Sequence, residues 1–142
     1  MKHVVDGHSA DVNLFFMWRT LRTLARETFA HLDQRSLPPG MRAPWRTLRA
    51  QLRRKVMPDP PGGMRATDWE FAQISCGHLC QLAAAVGSVI CAAERLDADT
   101  FSRCELLAGC WQESNRMVAA FWDASREHAN AIDALFNTEA ST

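Results

Sequence analysis

The sequence lacks the patterns expected of a β protein or of a secreted one. No run of alternating apolar and polar residues stands between turn residues, so no strand is predicted. The first ten residues have neither the apolar run nor the small-residue cleavage site of a secretory signal. The cysteines, five in number and so not fully pairable, lie in apolar helical patterns, as small buried hydrophobes do. We therefore expect an all-α protein of the reducing cytoplasm.

Catalytic and metal-binding motifs are absent as well. The sequence has no nucleophile elbow, phosphate-binding glycine loop or His-Glu-x-x-His motif. Cys76 and Cys80 share a helix face, but His78 points elsewhere and no second pair of ligands follows. Glu27 and His31 stand one turn apart without the paired Glu-x-x-His pattern of a di-iron bundle. We predict no enzyme activity, no cofactor and no metal.

Two long stretches lack charged residues, one of them only acidic residues and the other both acidic and basic residues. Residues 42–55 contain no acid, and the 23 residues 71–93 contain no charged residue at all. The second stretch is long enough to cross a bilayer, although polar residues such as Gln73 and Gln81 interrupt it. Because such helices more often form the centre of a soluble bundle, we predict no membrane partner.

The charges that are present divide the chain into a basic and an acidic half. Residues 1–66 hold 12 Lys+Arg against 5 Asp+Glu, whereas residues 67–142 hold 4 against 11. This distribution favours a protein that offers one face to an anion and another to a basic surface. The 142 residues fit one domain, and we predict basic helices at 11–56, a Pro/Gly-rich loop at 57–66 and acidic helices at 67–137.

Apolar periodicity predicts two helices in the basic half. The first should run from Asp11, a candidate N-cap, to about Leu32, and the second from residue 44 to 56 with Pro44 in its first turn. Their core-facing positions are Leu14, Trp18, Leu21, Leu24, Ala25, Thr28 and Leu32 in the first helix, and Trp45, Leu48, Leu52 and Val56 in the second.

The acidic half should supply the central helix of the bundle. Thr67 and Glu70 form a capping box that predicts its start. Its seam alternates steps of three and four through Trp69, Ala72, Cys76, Leu79, Ala83, Val86, Ile90 and Ala93. Small residues at Ala83, Gly87 and Cys91 form a second row, which is typical of close helix packing.

A final helix should complete a single bundle of about four or five helices. Its candidate caps are Asp97, Asp99 and Thr100, and its candidate break points are Gly109 and residues 114–115. Its core-facing positions are Cys104, Leu107, Trp111, Val118, Phe121, Ile132 and Leu135. Residues 138–142 should be a loose tail.

Arginines form two rows at helical spacing. The first row is Arg19, Arg22 and Arg26; the second is Arg46, Arg49 and Arg53, with Arg42 ahead of it and Arg54 and Lys55 behind it. Such rows can follow a phosphate backbone, with affinity that falls with salt and without sequence specificity. We predict that these nine residues bind nucleic acid. Trp18 and Trp45 lie near these arginine rows and could stack a base, but both fall at core-facing helical positions, where an aromatic residue usually serves packing.

A solvated face, or pairing with the acidic half of the same chain, would also account for the arginine rows. Segregation argues against pairing within helices, since residues 42–55 lack the mixed signs at i and i+4 that support a helix. The same segregation favours head-to-tail contact between copies of the chain.

A small, motif-poor α-bundle with rows Arg19/Arg22/Arg26 and Arg42/Arg46/Arg49/Arg53 resembles the small helical subunits of multi-subunit CRISPR effector complexes in size, helical character and charge layout. The resemblance implies a non-catalytic protein of antiviral defence that repeats along an RNA-guided filament, with arginines on the guide or target backbone. One alternative is a small inhibitor or antitoxin-like anti-defence factor, whose acidic half imitates nucleic acid or covers a basic site. Another is a homodimeric bundle with the Trp69 seam as its interface.

Overall fold

Five α-helices and one short 3-10 helix make up the described part of the chain. The computed structural model describes residues 7–54 and 68–140, and the side chains of residues 13–54 and 70–135. The elements are α1 (Gly7–Thr28), the 3-10 helix (Gln34–Ser36), α2 (Pro39–Leu52), α3 (Asp68–Leu96), α4 (Ala98–Ser102) and α5 (Glu105–Ala140). No strand occurs in these ranges, and the predicted all-α bundle is confirmed.

Helix α3 is the central helix, as its spacing predicts. The buried seam residues are Ala72, Cys76, Leu79, Ala83, Val86, Ile90 and Ala93, and Leu82, Val89 and Ala92 are buried on neighbouring faces. The side chain of Trp69 and the predicted capping residue Thr67 lie outside the described residues. Length and apolar composition would allow residues 70–96 to cross a membrane, and 56% of the most apolar window is buried within the protein.

Helix α1 is shifted from its predicted position. It begins at Gly7, ahead of the expected cap Asp11, and ends at Thr28, short of Leu32. The chain leaves the helix through a turn in which the Phe29 amide donates to the Ala25 carbonyl at 3.1 Å. Phe29 is buried at this turn, so the chain reverses around an apolar residue that the helical pattern did not include.

Helix α2 begins at Pro39 rather than at residue 44. A proline suits the first turn because its missing N–H has no partner there, and Pro39 fills that position. Pro44 instead lies inside the helix, where it removes the hydrogen bond to the carbonyl four residues earlier. The helix ends at Leu52. Residues 55–67, which include Lys55, Val56 and the predicted loop 57–66, lie outside the described residues.

The chain after α3 forms two helices, the short α4 and the long α5, where a final helix was predicted. The Asp97 carboxylate accepts from the Thr100 amide at 3.3 Å and from its hydroxyl at 2.9 Å, so Asp97 caps the short α4. Helix α5 is continuous through Gly109 and Ser114, and the predicted break was wrong. The Ser114 hydroxyl donates to the Cys110 carbonyl at 2.8 Å, which satisfies this buried group inside the helix.

The far end of α5 is not covered by the bundle. Cys104, Leu107 and Phe121 are buried as predicted, but Ile132 and Leu135 are exposed and the prediction for them was wrong. Every residue from 126 to 135 is exposed. With 36 residues, α5 is about 54 Å long and outreaches the 29-residue α3. Its backbone is helical to Ala140, so the loose tail predicted from residue 138 was wrong for 138–140.

The helices of both halves share one core. A single cluster of buried apolar residues includes side chains of α1, α2, α3 and α5, together with Leu37 of the connection before α2. The cysteines are free, and Cys76 and Cys104 are buried in this cluster. Cys80 and Cys91 are exposed, so their prediction as buried hydrophobes was wrong.

Candidate nucleic-acid interface

One exposed side of α2 presents a row of arginines. The inner side buries Met41, Trp45, Leu48 and Leu52 against the core. Arginines directly follow each of these buried residues, so at about 100° per residue they run along the side of the helix next to the buried face. This set, the α2 arginine row, consists of the exposed residues Arg42, Arg46, Arg49 and Arg53. It extends over about 16 Å at 1.5 Å per residue.

Three members of the row open onto a groove beside α2. The groove has a volume of about 820 Å³ and lies between α2 and the segment that follows α1. Its lining residues are Phe29, Ala30, Leu32, Asp33, Gln34, Arg35, Arg42, Trp45, Arg46 and Arg49. We call it the arginine groove, after Arg35, Arg42, Arg46 and Arg49. Four cations against one carboxylate make it a site that attracts anions.

Local structure fixes the walls of the groove. Asp33 caps the 3-10 helix, since its side chain accepts from the Arg35 amide at 3.0 Å. The Ser36 hydroxyl donates to the Asp33 carbonyl at 2.9 Å. On the floor, the rings of Phe29 and Trp45 meet edge to face with centroids 5.4 Å apart. The capped turn and the packed aromatic pair therefore hold Arg35 in the wall of the groove, together with residues of α2.

The tryptophans near the arginines belong to the core. Trp18 and Trp45 are each only 7% exposed, and Phe29 is 3% exposed. None of these rings offers a free face to a nucleotide base, so the chemistry available along α2 is contact between guanidinium groups and anions.

The side chains of the α2 arginine row have no hydrogen bond or ion pair with any described residue. Two ion pairs of the described ranges, Arg116 with Glu113 and Arg126 with Asp123, both lie on α5. Among the described residues, therefore, no acidic side chain occupies the row.

Arg22 and Arg26 of the first predicted row donate hydrogen bonds to backbone carbonyls at the C-terminal end of α2. The Leu52 carbonyl accepts from Arg22 Nη2 at 3.4 Å and from Arg26 Nη2 at 2.5 Å, and the Arg54 carbonyl also accepts from Arg22. The last carbonyls of a helix lack internal partners and carry partial negative charge, which a guanidinium stabilises. Both arginines thus have intramolecular partners, whereas the α2 arginine row has none among the described residues.

Arg22 is also held against an aromatic ring. Its guanidinium carbon lies 5.5 Å from the centroid of Trp18. Burial, and next the charge of Arg26, lower the pKa of Arg22. Its Nε is buried without a hydrogen-bond partner. These features place Arg22 in the packing between α1 and α2 rather than on an open surface.

The remaining predicted arginines lie outside the α2 arginine row. Arg19 is exposed on α1 with its guanidinium 5.9 Å from the Phe15 ring centroid, beside a shallow depression that includes Phe16. Arg54 is exposed just beyond α2. Burial, and next the charge of Arg54, lower the pKa of His78 on α3. Lys55 lies outside the described residues.

The described cysteines and histidines do not cluster as the ligands of a metal would. No group of three or more His, Cys, Asp or Glu side chains suited to a metal occurs in the described ranges. Burial, and next Cys80, raise the pKa of Cys76 to about 11, and burial raises the pKa of Cys104. These thiols stay protonated near neutral pH, which makes them poor nucleophiles and ligands.

Sequence reasoning missed Arg35. This residue lies between two helices, where helical spacing gives no guide to its position. The sequence signal was present in part, because Asp33 stands two residues ahead of Arg35 and Asx turns are recognisable. Only the folded connection brings Arg35 to the groove with Arg42 and Arg46.

Comparisons with known proteins give no further guide to the interface. No protein-family model, curated protein or solved structure matches this chain. The function is therefore inferred from the α2 arginine row and the arginine groove.

Proposed function

We propose that this protein is a non-catalytic subunit of a cytoplasmic nucleoprotein assembly and binds RNA or DNA backbone through the α2 arginine row and the arginine groove. One observation carries the proposal. Four exposed arginines stand along one side of α2 without intramolecular partners among the described residues, and Arg35 faces three of them across a groove.

Binding follows from electrostatics at the phosphates. Each guanidinium that neutralises a phosphate releases a condensed counterion, which favours association and makes it depend on salt. Contacts to phosphate position a protein on nucleic acid but carry no sequence information. The protein accordingly holds a backbone of any sequence.

The uncovered end of α5 suits contact with other subunits. Residues 126–135 are exposed, and Ile132 and Leu135 present 40% and 66% of their surfaces to solvent. Neighbouring proteins, or further copies joined head to tail, would bury this surface. CRISPR effector complexes, whose small helical subunits this chain resembles in size and charge layout, are one such assembly.

The competing function is that of an inhibitor or antitoxin-like factor that acts through the acidic half. Such a protein needs free carboxylates arranged like phosphates. Glu113 and Asp123 of α5 are instead paired with Arg116 and Arg126 one turn away. This pairing weakens the acidic surface of α5 and favours the nucleic-acid-binding proposal.

Charge reversal on α2 tests the proposal. The double variant Arg46→Glu/Arg49→Glu should lose binding to fluorescein-labelled RNA and DNA, measured by anisotropy at low salt, because it replaces two attractions by two repulsions. Both side chains are exposed and unpaired among the described residues, so the melting temperature should stay unchanged.

The matched control is Arg116→Glu/Arg126→Glu, which changes the net charge equally on α5. It should retain binding. Equal binding by the α2 variant and the original protein would contradict the proposal, and equal loss in both variants would show that net charge, rather than the row, governs the affinity.

A further inference from the structure

We infer that the backbone held by the α2 arginine row is that of a duplex, in preference to a single strand. The inference rests on the proposed function and assigns the class of ligand to the same site. It depends on three properties of the described residues: the regular spacing of the cations, the burial of the aromatic rings, and the location of the exposed rings.

The spacing of the cations suits a ligand of high and regular charge density. The row is fixed on a helix and extends over about 16 Å. Along that length a duplex carries about nine phosphate charges, whereas a stacked single strand carries about five. Release of counterions from the denser array gives more affinity for the same number of guanidinium contacts.

Single-strand binders usually compensate for their lower charge density by stacking bases on aromatic rings. Each stacked base contributes about 5- to 150-fold in affinity. The rings that line the arginine groove, Phe29 and Trp45, are 3% and 7% exposed and offer no stacking face. A single strand on α2 therefore lacks the contacts that would make it a better ligand than a duplex.

The exposed aromatic rings of the described ranges are on other helices. Phe16 lies on α1, Phe101 on α4 and Trp122 on α5. None of these rings lines the arginine groove. The arginine groove therefore has, among the described residues, no exposed aromatic ring on which a base could stack.

The number of phosphate contacts predicts how steeply the affinity for a duplex falls with salt concentration. Four phosphate contacts from the row, or five with Arg35, predict a slope of about −3.6 to −4.5 for duplex affinity against salt on logarithmic axes. Between 50 and 200 mM salt this slope lowers the affinity by about 150- to 500-fold. The variant Arg53→Gln should reduce the slope by about one, because it removes one phosphate contact.

The experiment compares labelled duplexes of RNA and of DNA with their separated strands, of a sequence without self-structure, by anisotropy on the full chain. A duplex of either sugar should bind at least about tenfold more tightly than its strands, independently of base composition. Phe16→Ala should leave the strand and duplex affinities unchanged.

The outcomes separate the two proposals. Binding to no nucleic acid would overturn both of them. Equal or tighter binding of the single strands, or loss of binding in Phe16→Ala, would overturn the duplex inference and leave nucleic-acid binding intact. A duplex preference that survives in Arg46→Glu/Arg49→Glu would show that the duplex binds elsewhere than on α2.

Discussion

At the scale of residues, Gly87 lets α3 and α5 approach closely. A Cβ at this position would lie 2.7 Å from Cζ2 and 2.8 Å from Cε2 of Trp111, nearer than real Cβ atoms come to a ring. The row Ala83, Gly87 and Cys91 predicts such close packing, and the contact with Trp111 confirms it at Gly87. The indole is wide and packed against the core, so it cannot move aside as the tip of a flexible side chain does.

Gly87→Ala should therefore destabilise the protein by about 1–3 kcal/mol, the usual cost of overpacking. Its control on the same helix is Gly77→Ala, where an added Cβ meets nothing within 4 Å. That change should stabilise the protein by up to about 1 kcal/mol through helix propensity. Chemical denaturation of both variants checks the opposite signs, and a destabilised Gly77→Ala would contradict the account.

At the scale of elements, α2 ends where α1 supplies donors. The Leu52 carbonyl has two guanidinium partners, from Arg22 and Arg26, and the Arg54 carbonyl has one. An arginine row on α1 thus serves as the cap of a neighbouring helix. The interaction also keeps the α2 arginine row in a fixed orientation relative to the bundle, because it anchors the helix that carries the row.

Arg26→Met should cost about 1–2 kcal/mol, since it removes a charge-assisted hydrogen bond and leaves a carbonyl without that donor. Arg22→Met should act in the same direction. Arg19→Met is the control, because Arg19 is exposed and has no hydrogen bond to α2, and it should change stability by no more than about 0.5 kcal/mol. Equal unfolding midpoints in urea for Arg26→Met and Arg19→Met would refute the capping role.

At the scale of the whole molecule, α3 joins the basic and acidic halves through one core. Leu79 is fully buried in the cluster shared with α1, α2 and α5, whereas Leu135 is 66% exposed at the uncovered end of α5. The charge asymmetry of the sequence therefore does not correspond to two separate cores in the described residues. It lies on the surface of a single packed structure.

Leu79→Asp should unfold the whole chain, because an unpaired charge in the core costs several kcal/mol and total stability is about 5–15 kcal/mol. Leu135→Asp makes the same chemical change on an exposed site and should leave the helical signal and melting temperature unaltered. Circular dichroism of the two variants is the measurement. A folded Leu79→Asp, or an unfolded Leu135→Asp, would contradict the assignment of the core.

The helical class, the buried seam of α3, the inner face of α2 and the arginines beside that face all follow from the sequence alone. These features follow from periodicity within one helix, which the order of residues encodes directly. The sequence placed the ends of α1 and α2 less well, because Pro39 and Pro44 both suit a first turn and only the packed chain selects between them.

The packing of the helices against one another fixes which cations are available and which apolar residues are covered. Arg22 and Arg42 look alike in sequence, yet Arg22 reaches the end of α2 and Arg42 faces a groove. Ile132 continues the stripe of Leu107 and Phe121 but lies on the stretch of α5 that the bundle leaves exposed. Burial and pairing depend on where neighbouring helices begin and end, and the pattern within one helix does not contain that information.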